Sequence, residues 1–250
     1  MLSVIVDDSD DPAWNLALDE ALARCGTFGP GTLFRIWQNA PSVVVGRFQD
    51  VDRAVDVAGC AQDGVRVVRR ATGGDAVPTG SGTLNFTLVR ATGGPLAPAR
   101  PHSRSGAPAD LGTLVAMAVE RFGLPATALR NGTVQTARLR TRGADLVHAA
   151  LHVAPPEPSE PSARRHIAPG RGGGPPPTLA DLGADAPVDA VAAAVLNTVA
   201  DAFGLLRARR PNALERACRD YLYATRYSDV TWHLSGGSGP SSQARACTRR

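Results

Sequence analysis

The chain has 250 residues, of which 43% are hydrophobic and 20% are charged, enough for one large domain or two small ones. The formal net charge is +4, and the basic residues form no stripe with aromatic partners, which argues against nucleic-acid binding. All 27 basic side chains are arginines, because the chain contains no lysine, and this removes one whole class of catalytic group.

The sequence contains no signal for a membrane or for export. No apolar run reaches the roughly 18 residues that a bilayer-spanning helix needs. The acidic N-terminus lacks a basic region followed by a long apolar stretch, so we expect no signal peptide and a cytoplasmic protein. The cysteines form no CxxC pair, so neither a zinc site nor a disulfide framework is predicted; they are Cys25, Cys60, Cys218 and Cys247.

The N-terminal half mixes helices with short strands. Apolar spacing predicts a helix over residues 13–24, with Asp11 as the N-cap and Pro12 in the first turn. Residues 50–60 predict one short helix. Apolar alternation and β-branched runs predict strands, which cover residues 33–37, 42–46, 65–70 and 82–90.

The C-terminal half begins with an amphipathic helix over residues 111–122. Residues 133–142 and 145–153 predict a hairpin through Gly143. Two further helices are predicted over residues 187–204 and 211–223, and the first of these has Asp185 as its cap and Gly204 at its end.

Proline and glycine dominate residues 154–177, which predicts a loop or a disordered segment. The tail over residues 235–250 is rich in glycine, serine and arginine and is expected to be flexible. Residues 1–234 then form one domain. Its strands and helices follow no regular βαβ rhythm, so we predict an α+β fold with a mixed or antiparallel sheet packed by helices.

Residues 67–77 are the most informative segment, with the sequence Val-Val-Arg-Arg-Ala-Thr-Gly-Gly-Asp-Ala-Val. Two glycines permit positive φ and let backbone N–H groups approach a ligand, and successive N–H groups form an anion-binding nest. A neighbouring arginine supplies a planar fork for phosphate or carboxylate. The segment favours a phosphate-bearing or acyl-phosphate ligand, and an ordinary hairpin turn is the alternative.

Five blocks of sequence resemble the lipoate–protein ligase A and octanoyltransferase family of the biotin/lipoate ligase superfamily. The blocks occur in the order and spacing of that family, and they are Asn-Leu-Ala-Leu-Asp-Glu at 15–20, Arg-Ile-Trp at 35–37, Ser-Val-Val-Val-Gly-Arg-Phe-Gln at 42–49, Arg-Arg-Ala-Thr-Gly-Gly-Asp-Ala-Val at 69–77 and Gly-Thr-Leu-Asn-Phe-Thr at 82–87. The run over 221–232 resembles the end of the same domain, so the resemblance covers residues 1–234.

The resemblance implies the biotin/lipoate ligase catalytic-domain fold, with a tunnel for a lipoyl or octanoyl chain and a site for its adenylate. It also implies ATP with Mg²⁺ and lipoate or octanoate as the small molecules, and no resident metal. Arg70 is expected to contact the phosphate. The implied substrate and adenylate residues are Arg70, Thr72, Gly73, Gly74, Asp75, Ala76, Val77, Pro78, Asn85 and Ala137. The implied acyl-pocket residues are Val45, Gly46 and His148.

His148 has a second interpretation as a hydrogen-bonded histidine on a half-buried strand. Trp37 and Trp232 are expected to pack in the core rather than to stack on a ligand.

The chain departs from the family pattern at several positions. Asp75 replaces the third motif glycine and would place a carboxylate beside a phosphate. Pro78, Thr79 and Gly80 replace an aromatic-His-Asp sequence. The family's lysine lies in a segment whose middle is deleted within residues 130–137, so no catalytic residue is identified. No cysteine follows the strand at 146–153, where one transferase class carries its nucleophile.

The sequence therefore predicts a lipoate–protein ligase-like protein that binds a lipoyl or octanoyl group, or its adenylate, and transfers it to a carrier-protein lysine. The alternative is a catalytically impaired member that binds an acyl ligand or a partner. In a third interpretation Asp75 pairs with a cationic group on the ligand, and the ligand is then an amino-acid derivative. A lipoyl domain or other carrier protein and a second subunit are the expected partners, with no nucleic acid or membrane.

Overall fold

A computed structural model describes residues 2–25, 31–91, 110–125, 127, 129, 133–168 and 176–236. The strands within these ranges are β1 Leu2–Ile5, β2 Thr32–Trp37, β3 Ser42–Val45, β4 Arg66–Arg69, β5 Val77–Thr79, β6 Thr83–Ala91, β7 Val134–Arg140, β8 Ala144–His152 and β9 Leu206–Arg209. The helices are α1 Pro12–Cys25, α2 Val51–Ala54, α3 Val57–Asp63, α4 Leu111–Val119, α5 Val188–Phe203, α6 Ala213–Leu222 and α7 Val230–Ser235.

The described strands form two mixed sheets. The larger sheet has six strands in the order β7-β8-β6-β2-β1-β9, and the smaller has three in the order β4-β3-β5. In the larger sheet β1 runs parallel to β2 and β9, whereas β2, β6, β8 and β7 pair antiparallel. In the smaller sheet β3 is parallel to β4 and antiparallel to β5. The predicted α+β fold with a mixed sheet is confirmed.

The larger sheet buries its two faces in different ways. On one face Phe34 and Phe86 stack with ring centroids 6.3 Å apart, in a core with Leu114 of α4 and Val195 of α5. Such a purely apolar face is what the burial of helix and sheet stripes requires. On the other face lie α1 and the smaller sheet, and polar side chains are buried there.

The structure corrects two local predictions. Residues 50–60 do not form one helix, because Val55 leaves the helical path to bridge Ile167 and Asp56 then caps α3 through the Gly59 amide. Asp185 does not cap α5, whose N-cap is Pro187 with no side-chain hydrogen bond. The helix end at Gly204 is confirmed, with φ of 83°.

The described part of the Pro/Gly-rich segment is tied to the body of the protein. The Glu160 carboxylate accepts hydrogen bonds from the backbone and hydroxyl of Ser81. The Ala168 amide donates to Ala54 over 2.9 Å. Residues 169–175 of this segment and residues 237–250 of the tail lie outside the described residues.

Glu20 of α1 holds the C-terminal segment against the rest of the chain. Its buried carboxylate accepts from the Tyr227 hydroxyl over 2.7 Å and from Arg226 Nη1 over 2.8 Å, and it pairs with Arg24. Burial alone raises the pKa of Glu20, but the Tyr227 hydrogen bond and the charges of Arg226 and Arg24 outweigh it and leave the pKa below its usual value.

Glu20→Gln should therefore destabilise the protein at neutral pH, by about 1–3 kcal/mol for a charged hydrogen-bonding group of this kind. Since the folded pKa is depressed, the contribution is fully present above the unfolded pKa and is lost as pH falls through the folded pKa. Urea unfolding of both proteins between neutral and acid pH measures this difference. Exposed Glu157→Gln is the control and should change stability by less than about 0.5 kcal/mol. A wild-type advantage that stays constant across the pH range would contradict the assignment.

Candidate acyl-binding site

Arg70 shapes the glycine turn that follows β4. Its Nη1 donates to the Val44 carbonyl over 2.9 Å, and its Nη2 donates to the carbonyls of Gly73 and Asp75 over 2.8 and 2.9 Å. Its Nε donates to Thr72 Oγ1 over 3.1 Å. Burial lowers the pKa of Arg70 to about 10, so the guanidinium stays charged at neutral pH.

Two glycines let the turn fold back on the end of β3. A Cβ atom on Gly46 would lie 1.9 Å from the Gly74 carbonyl oxygen, a separation that no side chain tolerates. Gly74 has φ of 100°, a backbone conformation that only glycine adopts without strain. The Arg47 amide closes the contact by donating to the Thr72 carbonyl over 2.8 Å.

The outer amides of the turn are unused. Within the described ranges, the backbone N–H groups of Gly73, Gly74 and Asp75 donate to no protein acceptor. Three consecutive free N–H groups in a glycine turn can converge on an anion. Three consecutive N–H groups without a protein acceptor are therefore available to a ligand at this turn.

The polar face of the larger sheet presents two rows of side chains across its strands. One row pairs Arg35, Thr87, His148 and Ala137 on β2, β6, β8 and β7. The next row pairs Trp37, Asn85, Ala150 and Gln135 on the same strands. Because alternate residues of a strand share a face, both rows point to the side occupied by α1 and the smaller sheet.

A chain of hydrogen bonds links these rows to the turn. The Trp37 indole donates to Thr87 Oγ1 over 3.1 Å, and the Thr87 hydroxyl donates to Asp19 Oδ2 over 2.7 Å. His148 Nδ1 faces the same carboxylate oxygen at 3.5 Å, while its Nε2 lies 2.6 Å from the Thr72 hydroxyl. A carboxylate only accepts, so Nδ1 carries the proton and Nε2 accepts from Thr72.

Asp19 also anchors the buried Arg35, whose Nη1 lies 3.1 Å from Asp19 Oδ1. Burial lowers the pKa of Arg35, with the nearby carboxylates of Asp19 and Asp7 opposing the shift. The carboxylate of Asp19 thus has a charged partner in Arg35.

A cavity of about 270 Å³ lies between the turn, α1 and the two rows. Its apolar wall consists of Leu16, Trp37, Val44, Val77, Ala149 and Ala150. Its polar lining consists of Arg70, Asp75, Thr79, Asn85, Gln135, Thr136 and His148, and Gly74 and Ala137 complete it. Apolar walls with a few placed polar groups are typical of small-molecule sites.

The predicted site residues divide into those that line the cavity and those that do not. Arg70, Gly74, Asp75, Val77, Asn85, Ala137 and His148 line it. Thr72 and Gly73 instead bond the Arg70 side chain, and Gly46 supports the turn. Ala76 and Val45 pack together in a separate apolar cluster, and Pro78 lines a small neighbouring cavity.

Val44, and not Val45, faces the cavity, because successive strand residues point to opposite faces. The residues that the sequence reading missed are Leu16, Val44, Thr79, Gln135, Thr136, Ala149 and Ala150. Apolar spacing marks Leu16 and Val44 as buried, but only the sheet order brings the seven residues together. Trp37, expected in the core, packs there and also lines the cavity.

The described cysteines lie away from this site. Cys60 of α3 is buried, and this burial raises the pKa of its thiol to about 11. Cys25 and Cys218 are half-buried, on α1 and α6, and none of the three lines the cavity. Cys247 lies outside the described residues. No group of three His, Cys, Asp or Glu side chains comes together in the described ranges to bind a metal.

The fold and the cavity define an α+β domain with a small-molecule-sized cavity, and comparisons with known proteins show which domains share this fold. Residues 11–133 match the family model of the lipoyl protein ligase A/B catalytic domain. This match, together with the similar solved structures described next, confirms the resemblance to the lipoate–protein ligase A and octanoyltransferase family. The described helices include none that is long and apolar enough to cross a membrane.

Three solved structures share the fold. Lipoate-protein ligase A bound with ATP has a TM-score of 0.74 and 20% identity, over 93% of this chain and 98% of that one. A bi-partite lipoate protein ligase from Thermoplasma acidophilum, studied with its E2 lipoyl domain, has a TM-score of 0.73 and 21% identity, over 95% and 97%. LipL1 of P. falciparum in complex with lipoate has a TM-score of 0.70 and 14% identity, over 96% and 74%.

Gly46→Ala should disrupt the turn, because the new Cβ collides with the Gly74 carbonyl and neither backbone can move without breaking the Arg70 contacts. We expect a loss of about 1–3 kcal/mol in the free energy of unfolding, measured by urea denaturation. Gly31→Ala is the matched control, since a Cβ there meets nothing within 4 Å. Equal stability of the two variants would show that the close approach of Gly46 to Gly74 is not required.

Proposed function

We propose that the cavity binds a lipoyl or octanoyl group, or its adenylate, and that the protein transfers the acyl group to a lysine of a carrier protein. The observation that carries this proposal is the position of an apolar wall beside a glycine turn with three unused amides. An acyl adenylate has these two parts, a hydrocarbon chain and an anionic phosphate, joined at the reactive carbonyl.

The acyl chain is proposed to lie along Leu16, Val44 and Val77, where removal of apolar surface from water supplies most of the binding energy. The polar head lies toward Asn85 and Gln135. Gln135 Oε1 is buried and has no hydrogen-bond partner among the described residues, and a bound polar group would satisfy it.

The phosphate is proposed to rest on the free amides of Gly73, Gly74 and Asp75, with the charge of Arg70 beneath the turn. Most Arg70 donors already bond turn carbonyls, so its role combines charge with control of the turn's shape. The Asp75 carboxylate repels a phosphate at this position, and its exposure to solvent weakens that repulsion.

ATP is the proposed second substrate, and Mg²⁺ would enter with it. Mg²⁺ commonly takes most of its ligands from nucleotide phosphates and water, with one or two carboxylates from the protein. Asp75 is the one carboxylate among the described residues that line the cavity, too few for a dedicated protein metal site, and we assign it no role as a ligand. This donor set fits a nucleotide-borne ion better than a dedicated protein metal site.

Transfer joins the acyl carbonyl carbon to the carrier amine and releases AMP and a proton. Negative charge develops on the carbonyl oxygen in the transition state, and backbone N–H donors stabilise such charge. In this proposal the turn amides already hold the phosphate and the chain has no lysine, so the carbonyl oxygen lacks a dedicated donor. Loss of one donor typically removes about 2.7–4 kcal/mol, so we expect a slow enzyme.

A lipoyl domain is the proposed carrier, and a second subunit is a proposed partner. The relative from Thermoplasma acidophilum is a bi-partite ligase with an E2 lipoyl domain, which supports both. We place the reaction in the cytoplasm, where ATP is plentiful.

A second candidate is an acyl-binding family member without transfer activity. The complete absence of lysine favours it, because arginine stays protonated and cannot act as a base. Both candidate functions use the same cavity. They differ only in whether the acyl group is transferred to an acceptor protein, which would then gain mass.

The test incubates the protein with ATP, lipoate or octanoate and a lipoyl domain, and weighs the acceptor by intact mass spectrometry. The proposal predicts one acyl group added per acceptor, and Asp75→Asn should raise the rate several-fold by removing the charge beside the phosphate. Asp189→Asn on the first turn of α5 is the control and should leave the rate unchanged. Thermal stabilisation by the acid without a mass gain would support the binding protein, and neither effect would refute both candidates.

A further inference from the structure

Two cysteines that are far apart in the sequence come together where α1 packs against α6. Cys25 is the last residue of α1, and Cys218 lies in the middle of α6. Cys218 packs on an apolar cluster that includes Ala17 and Ala21 of α1. Since residues four apart share one face of a helix, Cys25 continues the face formed by Ala17 and Ala21, which is the face that Cys218 meets.

The environment of Cys218 reflects the same contact. Burial and the neighbouring Cys25 thiol raise the pKa of Cys218 to about 12, and the charges of Arg24 and Glu20 also act on it. Both cysteines are free thiols in this structure, and both are only half-buried, so each keeps surface that a small reagent can reach.

Aromatic contacts hold the two helices in one arrangement around the thiols. The guanidinium of Arg219, the residue after Cys218, lies 4.0 Å from the centre of the Trp14 ring on α1. The Trp14 ring also meets the Tyr223 ring edge-on, with centroids 5.0 Å apart. The packing of α6 on α1 therefore keeps the Cys218 thiol beside the Cys25 thiol for as long as the protein is folded.

We propose that Cys25 and Cys218 form a reversible disulfide that ties α1 to α6, with a low-molecular-weight disulfide such as glutathione disulfide as the oxidant. The Cys25 thiolate attacks one sulfur of glutathione disulfide, which forms a mixed disulfide and releases one glutathione. The Cys218 thiolate then attacks the Cys25 sulfur, which closes the protein disulfide and releases the second glutathione. The two thiol protons end on the two glutathione molecules that leave.

The high pKa of Cys218 makes it the second thiol to react. Such a thiol is almost entirely protonated at neutral pH and is a poor nucleophile toward a reagent in solution. Once Cys25 carries glutathione, the mixed disulfide is held beside Cys218, and its high local concentration offsets the small thiolate fraction. Thiols reverse both steps, so a reducing cytoplasm keeps the pair reduced and oxidising conditions close the bond.

The bond links the two ends of the chain. It closes a loop from residue 25 to residue 218, and a long loop takes much conformational freedom from the unfolded chain, which stabilises the folded protein. It also holds the C-terminal segment, whose Tyr227 bonds Glu20, onto α1. Neither cysteine lines the main cavity, so this inference does not depend on the proposed function.

The experiment incubates the full chain with excess glutathione disulfide, blocks the remaining thiols with N-ethylmaleimide and maps the cysteines by mass spectrometry. Trypsin cleaves after arginine and places the four cysteines on four different peptides. We expect a crosslink between the peptides of Cys25 and Cys218 that dithiothreitol removes. The oxidised protein should melt about 10 °C above the reduced protein.

Three serine variants complete the test. Cys25→Ser and Cys218→Ser each remove one partner with little change in size, and both should lose the crosslink and the rise in melting temperature. Cys247→Ser changes a thiol outside the described residues and, as the matched control, should keep both.

Four results would overturn the proposal. They are a crosslink from Cys25 to Cys247, glutathione that stays on Cys25, no reaction of the folded protein under conditions in which the urea-unfolded protein reacts, and a Cys25–Cys218 crosslink that leaves the melting temperature unchanged.

Discussion

The site depends on one buried cation surrounded by backbone carbonyls. The guanidinium of Arg70 gathers the carbonyls of Val44, Gly73 and Asp75, while three amides of the turn donate to no described protein acceptor. A buried charge is tolerated only when it is fully hydrogen-bonded, and here the backbone itself does this. The cation therefore sets both the shape and the polarity of the turn.

The same constraint explains the arrangement around the turn. Gly46 must be glycine for the turn to reach β3, and Thr72 must lie where its hydroxyl meets both Arg70 and His148. Through Asp19 and Thr87 the network continues to the sheet and to α1. Such buried polar networks contribute little net stability but fix one arrangement among several, and a binding cavity needs that uniqueness.

Local signals in the sequence predict much of this fold. Asp11 and Pro12 at the start of α1, Gly143 in the hairpin and Gly204 at the end of α5 each act within a few residues, and so they can be read directly. The strands β1 and β9 were not predicted, because each has only four residues and neither has the run of three valines that marks β3. The split between α2 and α3 depends on Ile167, which lies more than a hundred residues away in the chain.

The part of the candidate site that is one contiguous motif could be predicted from the sequence. The part that is assembled from distant segments of the chain could not. The turn at 70–77 stands out through its arginines and glycines. Gln135 and Leu16 join it only through the register of β7, β8 and β6 and the packing of α1, which are non-local. The motif contains both Val44 and Val45, and the sequence alone indicated Val45 as the pocket residue. Only the pairing of β3 with its neighbours decides which of the two faces the cavity.

In the proposed binding mode a hydrocarbon chain lies in this cavity with its head at the glycine turn. A crystal of the protein with 8-bromooctanoate tests it directly, because anomalous scattering locates the bromine at the chain's end. We expect a bromine peak inside the cavity, in van der Waals contact with the apolar wall of Leu16, Val44 and Val77. A peak on the protein surface, or beside Gly74, would show that this binding mode is wrong.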